Sequence, residues 1–370
     1  MDLKARVGRV RELMTAKGVD TLIALSKARH SLDEQDPVTH LTGFRSLGPS
    51  AAILDSDHGF VLITTPRFDA DRAEATVSNA RIVATDDLLS SLDAELKRFS
   101  TKRVATVGLN ALPNRLALEI YKALGGEPVQ IDDALYAATA VKTTAEIEGA
   151  RKAAWIAERA YERLLATARP GMRECDLAVD LNLYMQSLGA NDVFLLMNGL
   201  PRAKGVAASS TRPLERGDTV LAEITPSCNG QFAQICRTAV IGPPSDVIRE
   251  KYALVVRAME AGISAVRPGV PVSDICAAID SVLRANGYGD YCGPPYNRRR
   301  GHGCGCGSSA PGSIVIDNHT PLEEDMVFVV HPNQFIPETG YLLCGEPVRV
   351  LSDGVEVLTE RRAALGNIAA

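Results

Sequence analysis

No cysteine occurs before residue 175 of this 370-residue chain; all eight fall at 175, 228, 236, 276, 292, 304, 306 and 344. The two halves therefore differ chemically, and the thiols are expected to be reduced rather than paired. No apolar run reaches the roughly 18–20 residues that a membrane span needs. No block of like charges interrupts a net charge of −5, so neither nucleic acid nor an anionic membrane is expected as a partner. The opening Met1-Asp2-Leu3-Lys4-Ala5-Arg6 lacks the apolar core of a signal peptide, and a cytoplasmic location is the expectation. What is present is ordinary for a chain with a core: 46% hydrophobic and 23% charged residues, in a length that suits two domains.

The first 140 residues alternate strand and helix signals. Apolar positions Leu3, Val7, Val10, Leu13 and Met14 recur at helical spacing over 2–17, and Lys17-Gly18 is a stop signal. Thr21 to Leu25 reads as a buried strand, and 51–54 with 59–64 as a hairpin through Asp55-Ser56-Asp57-His58-Gly59. Helices near 68–78, 88–98 and 112–124 then alternate with strands at 81–85 and 103–108, which implies an α/β domain over 1–140.

Beyond it a unit occurs twice. Thr143 and Glu146 fit a capping box before a helix to about 167; Arg169-Pro170-Gly171 and a helix over 174–188 follow. A helix over 246–265, Arg267-Pro268-Gly269 and a helix over 273–286 repeat the pattern. The repeat argues for an internal pseudo-twofold within 141–370, with a site where the halves meet. Strand segments at 218–225 and 231–240 flank the turn Cys228-Asn229-Gly230, and further segments lie at 326–331, 341–343 and 347–351, so this region is α+β.

Arg300-Gly301-His302-Gly303-Cys304-Gly305-Cys306-Gly307-Ser308-Ser309 is the run most open to chemistry. Glycine at alternate positions lets backbone approach closely, which suits either an active-site histidine or a structural turn. Cys304 and Cys306 read either as a soft metal site or as small residues packed beneath the glycines.

Together these segments resemble the pita-bread family of creatinase, prolidase, aminopeptidase P and methionine aminopeptidase. The likeness rests on Leu41-Thr42-Gly43-Phe44, Thr65-Pro66-Arg67-Phe68, the stretch from Lys142 to Ala154, both Arg-Pro-Gly turns, Gly217-Asp218-Thr219-Val220-Leu221, Arg237-Thr238 and Gly301-His302-Gly303, and it spans nearly the whole chain. It implies an α/β creatinase-type N-terminal domain and a C-terminal pita-bread domain of α+β class. It also implies a site for two divalent ions held by Asp, Asp, His, Glu and Glu. Those positions fall on Glu223, Gln234, His302, His331 and Gly345, with Glu346 next to the last. Two ions and a bridging hydroxide call for about four negative charges from the ligands, which this set does not supply. Two further family histidines fall on Ser309 and, in Leu200-Pro201-Arg202, on Arg202.

Three readings follow. The resemblance to creatinase implies a metal-independent enzyme that cleaves a C–N bond in a small carboxylate-bearing nitrogen compound, by hydrolysis or elimination. His302 and His331 would then move protons with help from Glu223 and Glu346, while Gln234, Arg67, Arg202, Ser309 and Phe44 bind substrate. No cofactor is favoured on this reading; an isomerase is equally open. Alternatively His302, His331, Glu223 and Gln234 hold one Zn, Fe or Mn ion in an Xaa-Pro peptidase. Lastly, such domains also serve as binding modules without activity. A homodimer acting on a small molecule is implied by the resemblance.

Overall fold

The computed structural model describes residues 3–28, 32, 34–56, 59–98, 103–307 and 309–370. Residue 2 of the expected first helix, Asp57 and His58 of the expected hairpin turn, and Ser308 of the glycine run lie outside the described residues. The chain forms two compact units: 1–139 with 143–145 and 306–308, and 140–142 with 146–305 and 309–370.

In the first unit the elements run α1 (Leu3–Lys17), β1 (Thr21–Ser26), α2 (Pro37–Thr42), β2 (Ser50–Asp55), β3 (Gly59–Thr64), α3 (Ala70–Thr76), β4 (Arg81–Ala84), α4 (Leu88–Leu96), β5 (Val104–Val107), α5 (Asn114–Ala123), β6 (Val129–Gln130) and α6 (Asp132–Ala138). One six-stranded sheet has the order β4-β3-β2-β1-β5-β6, antiparallel at β1–β2 and β2–β3 and parallel elsewhere. β1 and β2 are buried on both faces, as continuous apolar strands in a helix-covered sheet are. Sequence patterning missed α2 and α6. Both are short; α2 is fixed by its cap, Asp36 accepting from the Thr39 amide, and by Gly43 in the left-handed region at φ 69°.

The second unit holds the repeated halves. The first comprises α7 (Thr144–Thr167), α8 (Glu174–Ser187), β7 (Asp192–Leu200), β8 (Thr219–Cys228), β9 (Gln231–Phe232) and β10 (Ile235–Ile241). The second comprises α9 (Asp246–Ser264), α10 (Val272–Ala285), β11 (Gly301–Gly303), β12 (Val327–Val330), β13 (Gln334–Ile336), β14 (Gly340–Leu342), β15 (Glu346–Leu351), β16 (Gly354–Val357) and β17 (Gly366–Ile368). β17, β10, β8 and β7 form one sheet in that order with β9 on β8; β11, β12, β15 and β16 form a second, and β13–β14 a hairpin. The turn between β8 and β9 has Asn229 and Gly230 at φ 51° and 77°, the pair of positive angles that a tight hairpin demands. The first half's core packs Ile156, Leu164, Leu177, Leu181 and Met185 against Met197, Ile224 and Ile235.

Candidate active site

Register decides which side chains meet. Glu223 on β8 is the cross-strand partner of Cys236 on β10, so both project from one face, with Gln234 two residues before Cys236. Cys236 is bridged in turn to Gly345. In the second sheet His302 lies opposite Val329, and Val330 opposite Glu346. Side chains alternate along a strand, so His302, Val329 and His331 share one face while Val330 and Glu346 share the other. The His302 and His331 rings meet edge-on with centroids 5.4 Å apart.

Gly345 is what lets the two sheets close here. A Cβ at this position would stand 2.6 Å from the His331 Cβ and 3.1 Å from the Cys236 Cβ. Beside it the polar groups knit together. Asn333 donates to a Glu223 carboxylate oxygen (3.1 Å) and to the Cys236 sulfur (3.7 Å), and its own oxygen accepts from the Cys344 amide (3.1 Å). Gln234 donates to the Cys236 sulfur at 3.4 Å. The Gln234 Oε1 and His331 Nδ1 atoms are buried with no hydrogen-bond partner among the described residues.

The glycine run serves close packing. A Cβ at Gly303 would lie 1.8 Å from the Ser309 carbonyl oxygen, and one at Gly301 2.0 Å from that of Val329. The His302 Nδ1 lies 3.1 Å from the Gly303 carbonyl, an acceptor that selects the tautomer with the proton on Nδ1. Arg300, fully buried, pairs with Asp280 and donates to the Pro332 carbonyl and to Gln334, while the His331 amide donates to the Arg300 carbonyl. Arg300 thus ties the strand bearing His302 to the turn after His331.

Charge on this face is sparse. Burial, then the charge of His302, holds His331 well below the usual imidazole range, so it stays neutral. Burial, then the Glu223 charge, raises the Cys236 thiol well above its ordinary range. Cys304 and Cys344 are pushed up by burial to about 12. All eight cysteines are free, and these three stay protonated, which removes them as nucleophiles. The Cys304 and Cys306 thiols make weak contacts to the His302 and Asp36 carbonyls.

Several expected site residues sit elsewhere. Glu346 is on the opposite face, wholly buried, paired with Arg237 at 3.0 Å and accepting from Thr359 at 2.7 Å; the one-residue offset from Gly345 turns its side chain away from the histidines. Phe44 is packed in the core of the first unit beneath the Arg72 guanidinium, 4.4 Å from its ring centre, and offers no binding surface. Ser309 is buried and accepts from the buried Lys142 ammonium at 2.5 Å, a contact that anchors the glycine loop. Arg67 is exposed and faces Asp86 at 3.7 Å; Arg202 is exposed beyond the end of β7. Asn333 and Cys236 were not anticipated; the only signal was Asn333 directly after His331-Pro332.

An α/β N-terminal unit followed by two helix-pair halves is the pita-bread architecture. Residues 148–356 match the model of metallopeptidase family M24 and residues 6–151 that of the creatinase/prolidase N-terminal domain, so the chain belongs to the metallopeptidase family M24. That membership places it among hydrolases of C–N bonds. It is 26% identical over 358 residues to an uncharacterized peptidase of Bacillus subtilis, YqhT, covering 96% of this chain and 97% of that one. It is 25% identical over 333 residues to an Xaa-Pro dipeptidase of Pyrococcus furiosus, covering 89% and 92%. In fold it is similar to the X-Pro aminopeptidase of Thermotoga maritima, with a TM-score of 0.85, 24% identity and 98% and 99% of the two chains covered.

The residues present do not fit a pair of divalent ions. Gly345 offers no donor, Glu346 faces away, Gln234 is neutral and His331 is a neutral imidazole. Among the described residues no group of three or more His, Cys, Asp or Glu side chains is arranged to hold a metal. Bridging carboxylates are what hold two ions together, and among the described residues Glu223 is the carboxylate this face presents. Among the described residues no helix is long and apolar enough to cross a membrane.

Proposed function

We propose that the chain hydrolyses the C–N bond of a dipeptide-sized, carboxylate-bearing substrate through the His302–His331 pair rather than through two bridged ions. The observation that carries this is the edge-on pair itself, 5.4 Å apart, with His331 kept neutral by burial and by its neighbour's charge. A neutral imidazole with an open Nδ1 can accept a proton, and the second ring of the pair can return one. His331 takes a proton from the attacking water as that oxygen bonds to the substrate's carbonyl carbon. His302 gives a proton to the nitrogen as the C–N bond breaks, and proton exchange with solvent resets both rings. Gln234 orients the carbonyl or the water, and Glu223, held by Asn333, supplies negative charge on the same face.

Relatives named as Xaa-Pro dipeptidases along most of the chain support dipeptides as substrates ahead of the amidino compounds that a creatinase-like enzyme would take. A second reading is favoured by one observation: the unpartnered, buried His331 Nδ1 and Gln234 Oε1 are both metal-donor types, which suits a single ion. The test is a panel of Xaa-Pro and other dipeptides, N-acyl amino acids and amidino acids, with EDTA or with Mn²⁺ added, alongside elemental analysis. Cleavage that survives EDTA and falls about 10²–10⁴-fold in His302→Ala and His331→Ala is expected. Activity that appears only with one bound equivalent of metal would establish the second reading instead, and no cleavage of any member would leave a binding module. A homodimer is part of the proposal, and a monomeric mass by light scattering would remove it.

A further inference from the structure

Arg300 sorts the residues after His331 into two sides. It donates to the Pro332 carbonyl and, at 3.0 Å, to the side chain of Gln334. The alternate residues take the other side. A Cβ at Gly345 would meet the Cβ atoms of both His331 and Cys236, and Asn333 donates to the Cys236 sulfur at 3.7 Å. Phe335 is next in that alternation, two residues, or about 7 Å, beyond Asn333. Gln334 and Ile336 are wholly buried while Phe335 between them is only partly so, as the alternation requires. Tyr341, its cross-strand partner in the β13–β14 hairpin, is partly buried on the same face.

Phe335 begins an aromatic platform. Tyr296 stacks on it with ring centroids 5.2 Å apart and planes at 21°. Tyr291 meets Tyr296 at 4.9 Å and Phe335 at 5.8 Å. Tyr296, at the outer end, is 40% exposed. The platform is locked from behind: Gln334 donates to the Tyr291 carbonyl at 2.9 Å, and the buried Asn297, next to Tyr296, donates to the Asn333 carbonyl at 3.0 Å. Rings fixed in this way lose little freedom when a partner arrives. Their faces continue the side on which His331 and Asn333 lie. A further ring suits them, because aromatic pairs gain more than the area they bury and need no counter-charge.

We propose that the substrate carries an aromatic side chain, which stacks on Tyr296 and Phe335 beside the bond that is cleaved. The proposal rests on the reading that the His302–His331 face is the substrate site, and it narrows the substrate class.

Isothermal titration of the full chain with 3-phenylpropanoate, 3-cyclohexylpropanoate and propanoate tests it without turnover, since none of the three has a C–N bond. The phenyl compound is expected to bind about 3–10-fold more tightly than the cyclohexyl one and at least about 10-fold more tightly than propanoate. Tyr296→Leu and Phe335→Leu should each erase the phenyl-over-cyclohexyl preference, with circular dichroism confirming that each variant folds. The wild-type comparison alone decides the matter if a variant fails to fold. Cyclohexyl binding as tight as phenyl, propanoate matching either, or no binding of any of the three would each overturn the proposal. So would Tyr296→Leu leaving all three affinities unchanged while lowering the mass seen by light scattering, since a second copy then covers the platform. A ring preference without cleavage of any panel member sinks the hydrolase reading and leaves this one standing; cleavage of dipeptides with no ring preference does the reverse.

Discussion

The two faces of the β11-β12-β15-β16 sheet treat acidic groups in opposite ways. On one, Glu346 is wholly buried against Arg237 and Thr359. On the other, His302 and His331 share a face near Gly345 with Glu223 beyond it, a half-buried carboxylate that accepts from the Asn333 amide. The first arrangement is closed: each charge has its counter-charge, and Arg237 also donates to the Gly345 and Cys236 carbonyls at 2.7 and 3.1 Å. The second leaves the Gln234 Oε1 and His331 Nδ1 atoms without a hydrogen-bond partner among the described residues. Consecutive residues 345 and 346 belong to different worlds because the side-chain period of a strand is two. The closed face supplies rigidity, and the open face is the one to which the proposed chemistry is assigned.

Removing one partner of the closed face should have the largest effect. Glu346→Ala leaves the Arg237 charge buried and uncompensated, and a loss of about 3–5 kcal/mol in denaturant unfolding is expected. The double variant Arg237→Met with Glu346→Leu should recover most of that loss; equal stability of the single and double variants would show that the pair is not coupled. Gly345→Ala, which places a Cβ against His331 and Cys236, should cost about 1–3 kcal/mol. An unchanged melting temperature there would mean the two sheets can part without penalty.

Acid sharpens the contrast further. His331 is held below 6.5 in the folded chain and titrates normally when unfolded, so the unfolded state binds more protons as pH falls. Its contribution is therefore fully present above about pH 6.5 and lost below it, with a slope of at most about 1.4 kcal/mol per pH unit. His331→Asn should flatten that segment of the stability–pH curve, and an unaltered curve would contradict the neutral assignment. A modest change is expected from Asn333→Ala, about 1–3 kcal/mol, since it removes the hydrogen bonds to Glu223 and Cys236 and leaves the buried Cys344 amide unpaired, read by thermal melting. A loss as large as that of Glu346→Ala would mean the open face is as tightly built as the closed one.

Much of the architecture was legible. The two Arg-Pro-Gly turns mark the ends of α7 and α9, and Asn229-Gly230 marks the hairpin between β8 and β9, because each needs backbone angles that few residues accept. β7 and β17 escaped notice. β7 carries a long apolar run without alternation, and β17 is three residues whose strand character comes from parallel pairing with β10. At the site, the positions of His302, His331, Glu223 and Gln234 followed from the family resemblance, and register brings Glu223, Cys236 and His331 around Gly345. Glu346 was misjudged because proximity in sequence is not proximity on a face. Phe44 and Ser309 were misjudged because burial and a lysine partner are tertiary facts with no local signature. Asn333 escaped because a neutral amide after a proline looks like a turn residue.

Gly345 finally bears on what the chain can accept. Residues directly opposite in an antiparallel pair ordinarily keep their Cβ atoms about 4.5–5.5 Å apart, whereas a Cβ here would stand 2.6 Å from that of His331. Any residue but glycine at 345 meets that obstruction before its own chemistry counts. A carboxylate placed there by one substitution therefore needs the backbone to move, and position 345 stays closed to single-step change while residue 331 keeps a Cβ.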